Sequence, residues 1–298
     1  MPERERSAPA RVVDGLIEVI LHGRLGNWLF QYSVGRRLAL THGTELRLNL
    51  FDRFKVYEGG VSWVSRVLRR LPLRARMTVY PPLGALYGRR LGIANGRTYY
   101  EEPRYGYNAE VLALPDGACL RGYFQSERYF RDIAPVIREE IILPDCQDDS
   151  ARAVEDRIRN ANAVAVHVRR TDYVAARWDI LSPAYYARAM DHVRQRVTGA
   201  RFFIFSDDVM WCRRHFRETD CEVVDLPGAD ADPFVDLRLM ALCRHHIIAN
   251  SSYSWWGAWL SASPDKIVMA PSVWLPNLPD NPTLADDVLC PEWIRWPV

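Results

Sequence analysis

Long hydrophobic runs are missing from this chain: no segment approaches the length needed to span a bilayer. The first residues, Met1 to Arg11, alternate charge with proline and lack the apolar stretch of a secretory signal. A soluble, cytoplasmic protein with a frayed start is therefore expected. Cysteine is sparse and unpatterned. Cys119, Cys146, Cys212, Cys221, Cys243 and Cys290 form no CxxC and no zinc-like spacing with histidine, so a disulfide scaffold and a structural zinc site are both disfavoured. Excess charge is missing too: 39 basic side chains against 37 acidic ones leave +2, too little to recruit nucleic acid or a membrane surface through a global field. Any anionic ligand must be gripped locally. Internal repeats, low-complexity tracts, a P-loop and a complete dinucleotide fingerprint are absent as well.

What remains is a globular composition, 48% apolar and 26% charged over 298 residues, enough for one large domain or, preferably, two ordinary ones. From Asn162 onward, short β-branched or aromatic runs (Ala163–Val168, Arg201–Phe205, Glu222–Asp225, His245–Ala249, Lys266–Met269) alternate with helical patterns. Those helices are Pro183–Val197, Val209–Phe216, Pro233–Arg244, capped by Asp232, and Ser254–Leu260. The rhythm predicts parallel pairing in a doubly wound α/β sheet, which binds ligands beyond the carboxyl ends of its strands. The first half opens the same way, with a strand at Leu16–Leu21, a turn at Gly23–Asn27 and a helix from Trp28 to Leu40. Between about Lys55 and Thr98 the text is irregular and points to no task. The polar segment Asp145 to Ser150 after Pro144 reads as a linker, dividing the chain into residues 1–147 and 148–298.

The marked clusters fall at strand exits. His167-Val168-Arg169-Arg170-Thr171-Asp172-Tyr173 places two guanidiniums, an imidazole and a carboxylate where a buried strand meets solvent. A pair of arginine forks can hold a diphosphate without a metal ion; the bland alternative is a solvated pair held by Asp172. Gly23-x-x-Gly26-Asn27 is either an anion cradle or a tight turn with Asn27 as cap. Ser206-Asp207-Asp208 offers carboxylates to a base edge or ribose, or a helix cap before Val209. Asn250-Ser251-Ser252-Tyr253-Ser254 presents hydroxyls and N–H groups at a helix start, and Trp255, Trp256 and Trp259 beyond it suit sugar stacking less well than core packing. Asp230-Ala231-Asp232 has the form of a metal-binding DxD, but helix capping before Pro233 explains Asp232. The histidines show no convergent partners.

In order, these blocks resemble glycosyltransferase family 11, the bacterial and animal fucosyltransferases that typically form α-1,2 linkages from GDP-fucose. The matches are Gly23 to Tyr32, Gly122 to Phe130, His167 to Tyr173, Phe205 to Asp208 and Ile247 to Leu260. The resemblance spans nearly the whole chain except about Lys55 to Thr98, and its last block is the most specific. It implies a GT-B-like architecture: two Rossmann-like domains facing each other across a cleft, the C-terminal one holding the GDP-sugar and the N-terminal one serving the acceptor glycan. Inversion at the sugar carbon without a metal or other cofactor is also implied. Trp28 stands where the family usually carries glutamine, and Thr171 where it usually carries glycine. Thr171 is shared with α-1,6 and nodulation-type fucosyltransferases, so α-1,6 or α-1,3 linkage stays open.

On this reading Arg169 and Arg170 stabilise the departing GDP, and Asp172, its acidity raised by them, orients them instead of acting as a base. Gly26, Asn27, His167, Asp207, Asp208, Ser251, Ser252 and Ser254 are the expected donor-binding residues. Two rivals stand: a non-catalytic carbohydrate or nucleotide-sugar binder, and a metal-dependent transferase built on Asp230-Ala231-Asp232.

Overall fold

A computed structural model describes residues 15–49, 75–78, 91–94, 97–226, 232–278 and 281–298. The chain forms two six-stranded sheets that divide by sequence. The first contains β1 (Leu16–Ile20), β2 (Glu45–Asn49), β3 (Ala75–Thr78), β4 (Leu91–Ala94), β5 (Arg97–Glu101) and β6 (Cys119–Arg121), in the order β3-β2-β1-β6-β5-β4. All its pairs are parallel except β4 with β5. The second contains β7 (Asn162–Val168), β8 (Ala200–Ser206), β9 (Cys221–Val223), β10 (His245–Ile247), β11 (Val268–Pro271) and β12 (Ile294–Trp296). Its order is β12-β11-β10-β7-β8-β9, parallel throughout. Strand order reverses beside β1 in one sheet and beside β7 in the other, and a crevice opens at the carboxyl end of each such point.

The strands of the second sheet are apolar on both faces because helices cover both. Val164, Val166 and Val168 of β7 pack with Tyr185, Met190 and Ile204, while Ala163 and Ala165 face the other core. The helices from Pro183, Val209 and Pro233 form as their periodicity predicts, capped by Ser182, Asp208 and Asp232. A further helix, Asp149–Arg159, begins inside the expected linker: Asp148 caps it and Ala151, Val154 and Ile158 form its buried stripe. β3 and β4 fall in the stretch that read as irregular, and β12 and the helix Asn281–Val288 carried too little pattern to be anticipated. Among the described residues no helix is long and apolar enough to cross a membrane.

The halves are joined by aromatic packing. Phe30, on the helix Leu25–His42, lies 4.5 Å from Trp255 and 5.0 Å from Trp256 between ring centroids, and Phe130 stacks on Trp256 at 5.6 Å. Trp255, Trp256 and Trp259 are buried in this joint, so the core alternative holds for all three. Trp28 is buried in the same core.

Candidate active site

The two points of reversal face each other. A cavity of about 520 Å³ lies between them, lined on one side by Gly23 to Asn27 after β1 and by Tyr123 and Gln125 after β6. The other side brings His167, Arg169, Asp172 and Tyr173 from the end of β7, Ser206 and Asp207 from β8, and Asn250 to Tyr253 after β10. Trp178, Trp274, Tyr105, Pro233 and Asp236 complete the wall.

Helix starts border this space without side-chain caps. The helices beginning at Leu25, Thr171 and Ser252 follow Arg24, Arg170 and Ser251, none of which makes a side-chain cap bond. Asp148, Ser182 and Asp208 cap helices outside the lining and Asp232 caps one whose Pro233 and Asp236 belong to it, while the helix Ala134–Glu140, away from the cavity, also has no side-chain cap. Leaving the first N–H groups of a helix uncapped, with the positive end of its dipole, is how a fold prepares for an anion. Two of these starts nearly touch: Gly26 abuts the backbone of Ser252 and Tyr253, an approach that only a residue without a side chain permits. Asn27 Oδ1 accepts from the Ser252 hydroxyl at 2.8 Å and from Gln125 Nε2 at 2.7 Å, while Gln125 Oε1 accepts from the Trp274 indole at 3.0 Å. These bonds fix the relation of the two halves at the mouth.

Charge is concentrated where they meet. Arg169 forms ion pairs with Asp172 at 2.7 Å and Asp207 at 3.1 Å, and Arg24 reaches Asp172 from the opposite half at 3.4 Å. Burial pulls the Arg169 guanidinium down, but Asp207 and Asp172 more than offset it and hold it above its ordinary value. Burial pushes the Asp172 carboxyl up, and the opposing pull of Arg169 and Arg24 leaves it below the usual range, which suits an orienting anion and not a base. Burial and then Arg169 push the His167 imidazole well below its ordinary pKa, against the pull of Asp207, so it is neutral at physiological pH. Its Nδ1 is buried with no hydrogen-bond partner, an acceptor or donor held ready at the cavity wall.

Of the residues expected from sequence, Gly26, Asn27, His167, Arg169, Asp172, Asp207, Ser251 and Ser252 line the cavity. Arg170, Asp208 and Ser254 do not. Arg170 turns away to Asp208 at 3.2 Å and Asp179 at 4.0 Å, with its guanidinium 4.5 Å from the centre of the Trp211 ring. Asp208 caps its helix by accepting from Trp211 N–H at 2.9 Å. The Ser254 hydroxyl bonds back to Ser251 O at 3.2 Å and Ala249 O at 3.4 Å inside the helix start. Of the two adjacent guanidiniums expected at the site, the structure brings Arg169 to the cavity, where Arg24 of the opposite half shares its partner Asp172. Asp232 is a cap for Phe234 N–H, and Asp230 and Ala231 lie outside the described residues. Sequence reasoning gave no role to Arg24, Gln125, Tyr173 or Trp274; Arg24, Gln125 and Tyr173 sit inside matched blocks, and that position was their only signal.

Residues 105–296 match the model of glycosyl transferase family 11. An α-1,2-colitosyltransferase of Escherichia coli is 29% identical over 289 residues, covering 92% of this chain and 97% of that protein. A galactoside α-(1,2)-fucosyltransferase 1 of Saimiri sciureus is 30% identical over 192 residues, 59% of this chain and 51% of that one. In fold, the chain is similar to a glycosyl transferase family 9 protein from Veillonella parvula, with a TM-score of 0.50 at 10% identity, covering 97% of this chain and 88% of that one. Two parallel-sheet Rossmann-like units across a cleft make the architecture GT-B-like, as expected.

Proposed function

The chain belongs to glycosyltransferase family 11 and is a glycosyltransferase, and from that premise we propose that it moves L-fucose from GDP-fucose to a hydroxyl of a galactoside-bearing glycan. The linkage is α-1,2, the sugar carbon is inverted, and no metal takes part. Both relatives described above carry α-1,2 in their names, which supports the linkage over α-1,3 or α-1,6. Residues 148–298 hold the nucleotide and residues 1–147 the acceptor side. Free thiols at all six cysteines support work in the cytoplasm.

One observation carries the reading: Arg24 and Arg169 converge from opposite halves on the single carboxylate of Asp172, amid uncapped helix starts. A diphosphate offers the same guanidiniums more oxygens and more charge than a carboxylate does, and charge grows on it as the bond to the sugar breaks. Donors already in place for that charge lower the barrier without a metal ion. Neutral His167 and the Ser251 and Ser252 hydroxyls add uncharged hydrogen-bond partners, and Asp207 holds Arg169 and the Arg170 N–H in position. A purely carbohydrate-binding protein has no use for such a clamp.

Calorimetry with GDP tests this directly. Micromolar affinity, roughly 8 kcal/mol, is expected and should be the same in magnesium and in EDTA. Arg24→Ala should weaken GDP about tenfold, the loss of one charge-assisted contact of roughly 1.4 kcal/mol. No GDP binding favours the carbohydrate binder, and activity abolished by EDTA favours the metal-dependent rival. The colitosyltransferase relative supports a second donor sugar, colitose, so the transfer assay is run with both donors and the product linkage is read by NMR.

A further inference from the structure

Beside the first cavity lies a second of about 500 Å³. Tyr105 and Tyr123 line both, their rings stacked with centroids 5.1 Å apart and planes 14° from parallel, so the pair stands where the two cavities meet. The charged groups on the far side are balanced: Glu101 and Glu102 against Arg104 and Arg121, with Arg121 and Glu101 paired at 3.4 Å. Nothing in the donor reading employs this space.

The Tyr123 backbone is held from behind. Glu102 accepts the N–H of Tyr123 at 2.6 Å and that of Phe124 at 3.1 Å. Phe124 is kept at φ 51°, a left-handed conformation costly for a residue with a side chain. Gly122 fits only because it lacks a Cβ, which would fall 2.4 Å from Glu102 Cβ. Backbone of this kind persists where its surroundings hold it; the Glu102 carboxylate does so on the N–H side, and Gln31 Nε2 donates to Gly122 O at 2.9 Å.

We propose that the second cavity binds a neutral, hydroxyl-rich pyranose ring of the acceptor, with Glu102 as the positioning residue that sets Tyr123 as the aromatic face the ring packs on where the two cavities meet. That the ring is an acceptor rests on the donor reading above. Carboxyls beside guanidiniums on one wall disfavour an ionic ligand of either sign. Carboxylates and guanidiniums together offer acceptors and donors to hydroxyl groups that carry both, and a tyrosine face packs against the C–H face of a sugar. Burial lifts the Glu102 carboxyl to about 7 against the pull of its two N–H partners, so both its donating and its accepting forms are available near neutral pH.

The test uses methyl β-galactoside as probe with the full chain, Glu102→Gln and Arg104→Ala; Arg104 borders the second cavity and not the first. Glu102→Gln keeps the volume but turns an N–H donor toward a backbone N–H. In both variants KM for the galactoside should rise about tenfold or more and the saturation-transfer NMR signal of the galactoside should fade, while in Arg104→Ala kcat and GDP affinity stay within about twofold. Unchanged galactoside KM in both variants overturns the proposal. So does a loss of GDP affinity in Arg104→Ala in step with galactoside binding, because the defect would then be general. A wild-type protein that shows an Arg104-dependent galactoside signal yet never binds GDP supports the sugar site and sinks the donor reading instead.

Discussion

Arg169→Ala is expected to lower kcat by about a hundredfold to a thousandfold at saturating donor, the range found when one preorganised donor to a developing anion is removed. Arg170→Ala is expected to lower kcat by less than about tenfold and to act mainly on Tm. The difference comes from where two neighbouring guanidiniums point. Arg169 faces the cavity, and its removal leaves Asp207 without its guanidinium partner and Asp172 with only the longer pair to Arg24, on the site where a diphosphate must sit. Loss of attraction and gain of repulsion then act on the same atoms. Arg170 braces Asp208 and lies over Trp211 outside the cavity, so its loss costs a partly exposed ion pair and a cation–π contact, roughly 1–2 kcal/mol of folding stability. Single-turnover and saturating kinetics beside thermal melts separate the two effects. Equal losses of kcat in both variants would restore the adjacent-pair clamp, and wild-type kcat in Arg169→Ala would remove the clamp altogether.

Adjacent arginines could not be told apart in the sequence because they stand past the last strand residue, Val168, where the two-residue alternation that assigns faces stops. Their directions are set by tertiary partners instead: Asp207 takes the Arg170 N–H at 2.8 Å, and Asp208 takes its side chain. Ser254 stays out of the cavity for a local reason. It lies one helical turn beyond Ser251, where a hydroxyl finds carbonyls of its own helix before it finds a ligand. Strand exits, by contrast, were legible. A run such as Val164 to Val168 must be buried on both faces, and where burial ends at a point of strand reversal a crevice follows from topology alone.

Arg24 shows the limit from the other side. A single exposed arginine in a glycine turn has only its place in a matched block to mark it, and its position at the site arises because the turn after β1 meets the end of β7 from the opposite half. The same holds for Tyr105 and Tyr123, distant in sequence and stacked in space. Caps are the opposite case. Asp208 and Asp232 were readable because capping depends on residues three or fewer positions away. Local physics was therefore visible in the chain, and contacts across the cleft were not.

Gly26→Ala is expected to cut kcat/KM about a hundredfold, the usual consequence of moving catalytic groups by about 1 Å. A Cβ at this position would lie 2.6 Å from Ser252 C and Tyr253 N and 2.7 Å from Ser252 Oγ. Two of those atoms are backbone, and the helix carrying Gly26 is fixed in turn by Phe30 against Trp255 and Trp256, so neither side can yield without parting the halves. Parting them breaks the bond from Ser252 to Asn27 and carries Arg24 away from Arg169, widening the clamp. Overpacking of this kind also costs about 1–3 kcal/mol of stability. Gly43→Ala at the far end of the same helix is the control. Its φ of 65° makes a side chain strained, yet nothing lies within 4 Å of the added carbon, so Tm should fall while kcat/KM holds. If both alanines lower Tm and only Gly26→Ala loses transfer, the close approach of two helix starts belongs to the catalytic geometry; if Gly26→Ala keeps wild-type kcat/KM, it does not.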